Sequence, residues 1–377
     1  MTGRDANIRP ASAAADAARR PDRVRDWIAV GRPEALAGLT LPPGQGRLSG
    51  RALPLIGGLT LRCSYRQALD LARLEGVALL WAYDRDLYGQ VVGAIAGLGY
   101  ALRNGARVAS LSMGPPKAVA QLMRPDPQEP LTLATRAAVR AGMVVVVAIG
   151  NYGPEEGVVN PWCADWTINV GASDTEGTAL APFSARGLPG ATDGPTLVAP
   201  GLDVVTTHPP GLPKTPQQLA RESAAPVFFD PTPPALRAHR TVVSGTSFAT
   251  PQVAAMAARI AWCFDTQYQR MQDGAGPDFL ALPVAAPPGL GAQRPRLAGI
   301  APDRLFPGHA VYRLASFHGA MRAATVKQVL IDLARPVPGR LPHEVGAGFV
   351  SPAIIEAALA GFAPPPPRIM AVKAFNA

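Results

Sequence analysis

The sequence predicts an α/β domain built on a parallel sheet with helices on both faces. Strand-like and helix-like runs alternate between residues 77 and 148. The strand-like runs at 77–83, 107–114 and 143–148 are largely apolar rather than alternating, as expected of strands covered on both sides. A long, alanine-rich helical run then follows a Gly-Thr-Ser turn at Gly245. Strand, crossover helix and parallel strand connect with a right-handed turn, and ligands of such sheets gather beyond the strand C-termini.

Taken in order, residues 1–25 are rich in Ala, Arg, Asp and Pro, show no sustained apolar face, and read as a disordered arm. A short strand is expected at 26–31, then a Pro- and Gly-rich loop from 32 to about 53, and helical character at 69–74. The strand at 77–83 is bounded by Gly76 and by Asp84-Arg85-Asp86, whose carboxylates read as solvated turn residues. A helix over 91–102 stops at Asn104-Gly105, a strand covers 107–114, a helix covers 132–140 and stops near Gly142, and a β-branched strand covers 143–148. A single domain is expected over 26–362. Two Pro-rich surface insertions interrupt it at about 208–240 and 266–320, and a C-terminal tail occupies 363–377.

The 377 residues are enough for a large core. The net charge of +9 and pI near 9.9 come from scattered arginines with no basic stripe, which reads as a solvated surface and not a nucleic-acid site. Cys63, Cys163 and Cys263 are far apart, lack metal-ligand spacing and read as small buried hydrophobes. No secretory leader and no membrane-spanning apolar run is visible, so a cytoplasmic protein with no membrane association is expected.

The chemistry centres on Gly245-Thr246-Ser247-Phe248-Ala249-Thr250-Pro251. Val253, Met256, Ala257, Ile260 and Ala261 follow at the spacing of one helical face. The opposite positions are also small and apolar, so a helix buried all round is expected, with Pro251 in its first turn. Ser247 then lies at the helix N-terminus, where backbone N–H groups and the helix dipole favour an oxyanion. Gly245, without a Cβ, admits a close substrate backbone. The plainer alternative is a capping Ser or Thr before a core helix.

This segment resembles the nucleophile motif of the subtilisin-like serine peptidases (subtilases), Gly-Thr-Ser-x-Ala-x-Pro, and not the Gly-x-Ser-x-Gly elbow. The resemblance covers residues 77 to about 360 in order. Ser112-Met113-Gly114 resembles the family's Ser-Leu-Gly, and Ala148-Ile149-Gly150-Asn151 its Ala-Ala-Gly-Asn. Val170-Gly171-Ala172, Phe183-Ser184-Ala185-Arg186-Gly187, Ala199-Pro200-Gly201 and Gly346-Ala347-Gly348-Phe349-Val350 are similar to its structural marks. The resemblance implies a three-layer subtilisin-like sandwich, Ser247 as nucleophile and Asn151 as an oxyanion donor. It also implies substrate contacts from Ser110, Leu111, Ser112, Met113, Gly114, Gly150, Gly245 and Thr246. For Asn151 the alternative is a turn residue tolerating left-handed geometry.

The family's aspartate and histidine motifs are not found where it would place them, before the strand at 77–83. The histidines are His208, His239, His309, His318 and His343, all after Asn151. Gly31 occupies roughly the aspartate's place, and the glycine-rich run 44–58 that of the histidine helix. An extended chain carries His239 far from Ser247, and His208 lies in the first insertion.

Three readings follow. The chain is a subtilisin-like endopeptidase whose base comes from a partner chain or a missing N-terminal part; or a pseudopeptidase that binds peptides, in which the strand after Val108 pairs an extended ligand; or a catalyst of easier acyl transfer such as ester hydrolysis. The expected partner is a polypeptide substrate or ligand, with a second chain supplying catalytic groups under the first reading. The family often binds calcium, but no acidic ligand cluster is apparent, and neither metal nor cofactor is expected.

Overall fold

The computed structural model describes residues 8–9, 22–39, 50–83, 85–209, 211–216, 218–220, 239–284 and 309–362. Most of the expected N-terminal arm, residues 221–238 and 285–308 of the two expected insertions, Asp84 and the tail from 363 lie outside the described residues.

The N-terminal part forms its own sheet from β1 (Ile8–Arg9), β2 (Val24–Gly31), β3 (Ala52–Leu53), β4 (Gly58–Ser64) and β5 (Val77–Tyr83), in the order β1-β5-β2-β4-β3. The strand expected at 26–31 is β2, longer by two residues, and Ile8–Arg9 of the expected arm pairs in parallel with β5. Period-two alternation sends Trp27 and Ala29 to one face, where Leu61, Cys63 and Leu80 join them, and Ile28 and Trp81 to the other. Helix α1 (Pro33–Ala37) breaks the loop expected at 32–53. Helix α2 (Tyr65–Ala72) starts earlier than its apolar run, because Ser64 and Gln67 form a reciprocal capping box.

The placement of β5 corrects the expected sheet. It pairs antiparallel with β2 and does not join the strands that follow it. Leu80 packs into the core on one face of its sheet and Trp81 into the core on the other, so the apolar run shows no alternation. That pattern marks two-sided burial and does not distinguish parallel from antiparallel partners.

After α3 (Arg85–Arg103), which ends at Gly105 with φ +74°, the parallel sheet begins. Its strands are β6 (Val108–Leu111), β7 (Val144–Ala148), β8 (Ile168–Ser173) and β9 (Leu197–Pro200), in spatial order β6-β7-β8-β9. Val108 pairs with Val144, Val146 with Ile168 and Val170 with Leu197. Every residue of β7, β8 and β9 is buried, so both faces are covered, whereas β6 is partly exposed. Helices α4 (Lys117–Leu122) and α5 (Pro130–Arg140) lie between β6 and β7 in the chain. The architecture is α/β with a helix-packed parallel sheet.

A two-stranded ladder of β10 (Val204–Thr207) and β11 (Arg240–Val243) leads into α6 (Thr246–Gln272), which packs against all four parallel strands. Helix α6 continues past position 266, where the second insertion was expected to begin, and that stretch also holds β12 (Phe279–Pro283) paired with β13 (His309–Arg313). Helices α7 (Gly319–Leu333), α8 (Pro342–Val345) and α9 (Pro352–Leu359) complete the chain. Among the described residues no helix is long and apolar enough to cross a membrane. All three cysteines are free and buried, and burial pushes the thiols of Cys63 and Cys263 up to about 12 and about 11.

Candidate active site

The ends of β6 and β7 meet the start of α6 at the C-terminal edge of the parallel sheet, where a ligand of such a sheet is expected. Asn160, fully buried, fixes the two strand ends. Its Nδ2 donates to Met113 O and to Ala148 O, each at 2.8 Å, and its Oδ1 accepts from Trp162 N at 3.2 Å. Tyr152 adds a second tie, its hydroxyl donating to Pro115 O at 2.7 Å. Gly150 sits between these ties at φ +104°, and a Cβ there would lie 2.2 Å from the Tyr152 ring, so only glycine fits.

Asn151 is exposed at the end of β7. Its Oδ1 accepts from both the backbone N–H and the hydroxyl of Thr246, each at 2.9 Å. Since a backbone N–H can only donate, the carboxamide is oriented, and its NH2 group is left to face the site. Asn151 is not left-handed; Asp203 is the only described non-glycine residue with positive φ. Asn151 thus does not adopt the left-handed geometry that the turn reading would tolerate.

Gly245, at φ 157° and ψ 153°, precedes the first turn of α6 in a conformation other residues rarely adopt. Ser247 is the second residue of the helix and partly exposed. Pro251 is the sixth, which corrects the expectation that it lies in the first turn. A proline there removes the helical N–H that Ser247 O would otherwise accept. The hydroxyl of Ser112 fills the gap, donating to Ser247 O at 3.0 Å. Ser110 and Gly114 are exposed, and Leu111 and Met113 are half-buried, along the same edge.

The expectation that α6 is buried all round is also corrected: Pro251, Ala255 and Trp262 are exposed. Composition alone could not reveal this, because small apolar residues suit a buried and an uncovered helix face equally.

None of the five histidines is brought to Ser247. His208 and His239 sit side by side at the far end of the β10–β11 ladder, His208 donating its backbone N–H to His239 O at 2.6 Å. That end is roughly 13 Å along the strand from Val243. His208 Nε2 lies 2.8 Å from Leu212 O. His309 is in β13, His318 precedes α7, and His343 Nε2 is 3.2 Å from Glu156 Oε1. Among the described residues no hydrogen bond reaches Ser247 Oγ. Gly31, in the aspartate's expected place, ends β2 in the other sheet, and 58–64 is a strand where a helix was expected to have begun. No three His, Cys, Asp or Glu side chains among the described residues gather to hold a metal ion.

The sequence reasoning missed Asn160, Tyr152 and Thr246 as the parts that hold the site. Nothing in the sequence around Asn160 signals that its amide spans two strands.

The model of the subtilase family matches residues 76–271. Serine protease AprX of Bacillus subtilis (strain 168) is 32% identical over 143 residues, covering 36% of this chain and 29% of that protein. Subtilisin BL of Lederbergia lenta is 33% identical over 138 residues, covering 37% of this chain and 44% of that protein. The matched part thus spans less than half the length of these relatives. Among solved structures, the patellamide maturation protease PatA aligns over 72% of this chain and 69% of its own, at 20% identity and a TM-score of 0.39. With the family model matched over more than half of its 377 residues, the chain belongs to the subtilase family.

Proposed function

We propose that the chain is a serine endopeptidase in which Ser247 attacks the peptide carbonyl and Asn151 Nδ2 donates to the resulting oxyanion, and that its activity depends on a base brought from outside the chain. The observation that carries this reading is the fixed carboxamide of Asn151, held through Oδ1 by both donors of Thr246 with its NH2 left free. A donor held before reaction needs no reorganisation when charge develops, and such a donor is typically worth about 100- to 1,000-fold in turnover. The extended edge from Ser110 to Gly114 supports a polypeptide substrate laid alongside it.

A serine hydroxyl needs a neighbouring base to become a useful nucleophile. As the Oγ–C bond forms, its proton passes to that base, and the base then protonates the departing amine as the C–N bond breaks. Without the base, the oxyanion donor and binding alone leave roughly 1,000- to 10,000-fold over water. The pure chain is therefore expected to be nearly inert toward casein and peptide anilides. Products of neighbouring genes, added one at a time, are expected to restore hydrolysis; continued inertness with every one of them would refute the reading.

A second reading is favoured by the lack of any described partner for Ser247 Oγ: a pseudopeptidase whose cleft binds peptides. It predicts micromolar peptide binding that survives Ser247→Ala.

A further inference from the structure

Asn151 and Tyr152 are neighbours in one turn, but their side chains part. Asn151 is exposed and held by Thr246, whereas Tyr152 is only 6% exposed and reaches back to Pro115 O. The ring of Tyr152 crosses the gap between the ends of β6 and β7. On the β7 side, a Cβ at Gly150 would lie 2.2 Å from the ring. On the β6 side, a Cβ at Gly114 would lie 2.7 Å from the tyrosine hydroxyl and 3.4 Å from Asn160 Nδ2. Further back along both strands, Asn160 closes the gap by holding Met113 O and Ala148 O.

The crevice beyond the strand ends of a parallel sheet is where ligands ordinarily enter. Here the chain's own phenol ring fills it. The reacting groups stand over the same place, because the Ser247 carbonyl is bonded to Ser112 at the end of β6 and Thr246 to Asn151 at the end of β7. A peptide laid along residues 110–114, with its carbonyl between Ser247 Oγ and Asn151 Nδ2, therefore sets the residue that bears this carbonyl over the gap. A hydrogen on that residue needs no room and a methyl little. A branched or aromatic side chain needs the volume the ring already holds, and close-packed interiors do not accept such an addition without strain.

We infer that Tyr152 sets the specificity of the site: it occupies the space for the side chain beside the reacting carbonyl, and so restricts cleavage to the carboxyl side of glycine or alanine. The inference rests on the reading of Ser247 as the nucleophile and adds the class of substrate, polypeptides with a small residue at the cut. The ring is held where it is. Rotating it out would break its bond to Pro115 O and leave Gly114, Gly150 and Asn160 lining a void.

The test uses fluorescein-labelled tripeptide boronic acids in which boron replaces the reacting carbonyl carbon, next to the side chain of glycine, alanine, leucine or phenylalanine. The Ser247 Oγ–B bond forms as the hydroxyl proton passes to buffer, and no leaving group departs, so the full chain is titrated without a partner. Anisotropy should give dissociation constants roughly 30-fold lower for the glycine and alanine forms than for the other two. Ser247→Ala should weaken the tight forms by about tenfold or more. Tyr152→Phe keeps the ring and loses only the bond to Pro115 O, so the wild-type order should persist. Tyr152→Ala should reverse it, the phenylalanine form gaining roughly 30-fold. Should that variant not melt cooperatively, Tyr152→Val opens part of the same space and should bring the leucine form about fivefold closer to the alanine form. Equal binding of the glycine and phenylalanine forms to the wild type would overturn the inference. So would the wild-type order in a cooperatively melting Tyr152→Ala or Tyr152→Val, or its loss in Tyr152→Phe. Selective binding unchanged by Ser247→Ala would support the filled crevice and reject Ser247 as the nucleophile, and no binding of any form to any of these proteins would overturn both.

Discussion

The hydroxyl of Ser112 donates to the carbonyl oxygen of Ser247 at 3.0 Å, the carbonyl that Pro251 leaves without its helical donor. One hydrogen bond thus links the strand that lines the cleft to the residue that would attack within it. It also explains how a proline is tolerated in the second turn of the longest described helix.

Ser112→Ala is expected to cost about 0.5–1.5 kcal/mol, a moderate loss because this bond is near solvent and water replaces part of it. In a Pro251→Ala background, where residue 251 again supplies its own N–H, the same change should cost less. Urea denaturation of the four proteins of this cycle gives the coupling, and equal costs in both backgrounds would show that Ser112 does not substitute for the missing donor.

Asn160→Ala should destabilise the chain by roughly 2–4 kcal/mol, since it removes the donor of the buried Ala148 carbonyl and of the part-buried Met113 carbonyl together. Because both strand ends lose their tie, amide exchange is expected to speed up at 112–114 and 149–152 before it does elsewhere. A uniform rise over the whole sheet would mean that Asn160 contributes global stability only.

How much of this was legible in the sequence depended on whether a residue's partner was local. The valine run of β7, the stop at Asn104-Gly105 and the Gly-Asn and Gly-Thr-Ser turns each carry their information within a few residues. The separate N-terminal sheet was not legible, because Val77, Leu80 and Trp81 are buried whichever way the neighbouring strands run. Pro251 was misplaced by one turn, because the donor that rescues it lies far away in the chain, on Ser112. The uncovered line on α6 was hidden for a similar reason: alanines at 255 and 258 look the same with or without a neighbour.

In the activated complex, Asn151→Ala is expected to slow fluorophosphonate labelling by about 100- to 1,000-fold. Thr246→Val keeps the backbone donor to Asn151 Oδ1 and removes only the hydroxyl, so a smaller loss, roughly tenfold, is expected. Thr246→Ser should restore most of the rate. Stopped labelling time courses check all three, and a Thr246→Val enzyme as fast as wild type would show that the hydroxyl does not hold the amide.

Lys327 sets a pH dependence of its own. Its Nζ donates to Asp165 O and Thr167 O, each at 2.7 Å, yet burial pushes the ammonium down to about 8, with Asp165 opposing the shift. The unfolded value is about 10.4. The charged form is thus disfavoured in the folded state, at a cost fully present below about pH 8 and relieved as the pH rises toward 10.4. Relative to Lys327→Met, the wild type should gain of order 1–3 kcal/mol between pH 7.5 and 10. A flat difference across that range would mean that the lysine is solvated.

The most direct test of the central claim is the time course of fluorophosphonate labelling of the purified chain, beside Ser247→Ala and with each candidate partner added. The account predicts almost no labelling of the chain alone and rapid labelling of Ser247, absent in Ser247→Ala, once the right partner is present. Rapid labelling of the pure wild-type chain would contradict it, because an activating base would then already be part of these 377 residues.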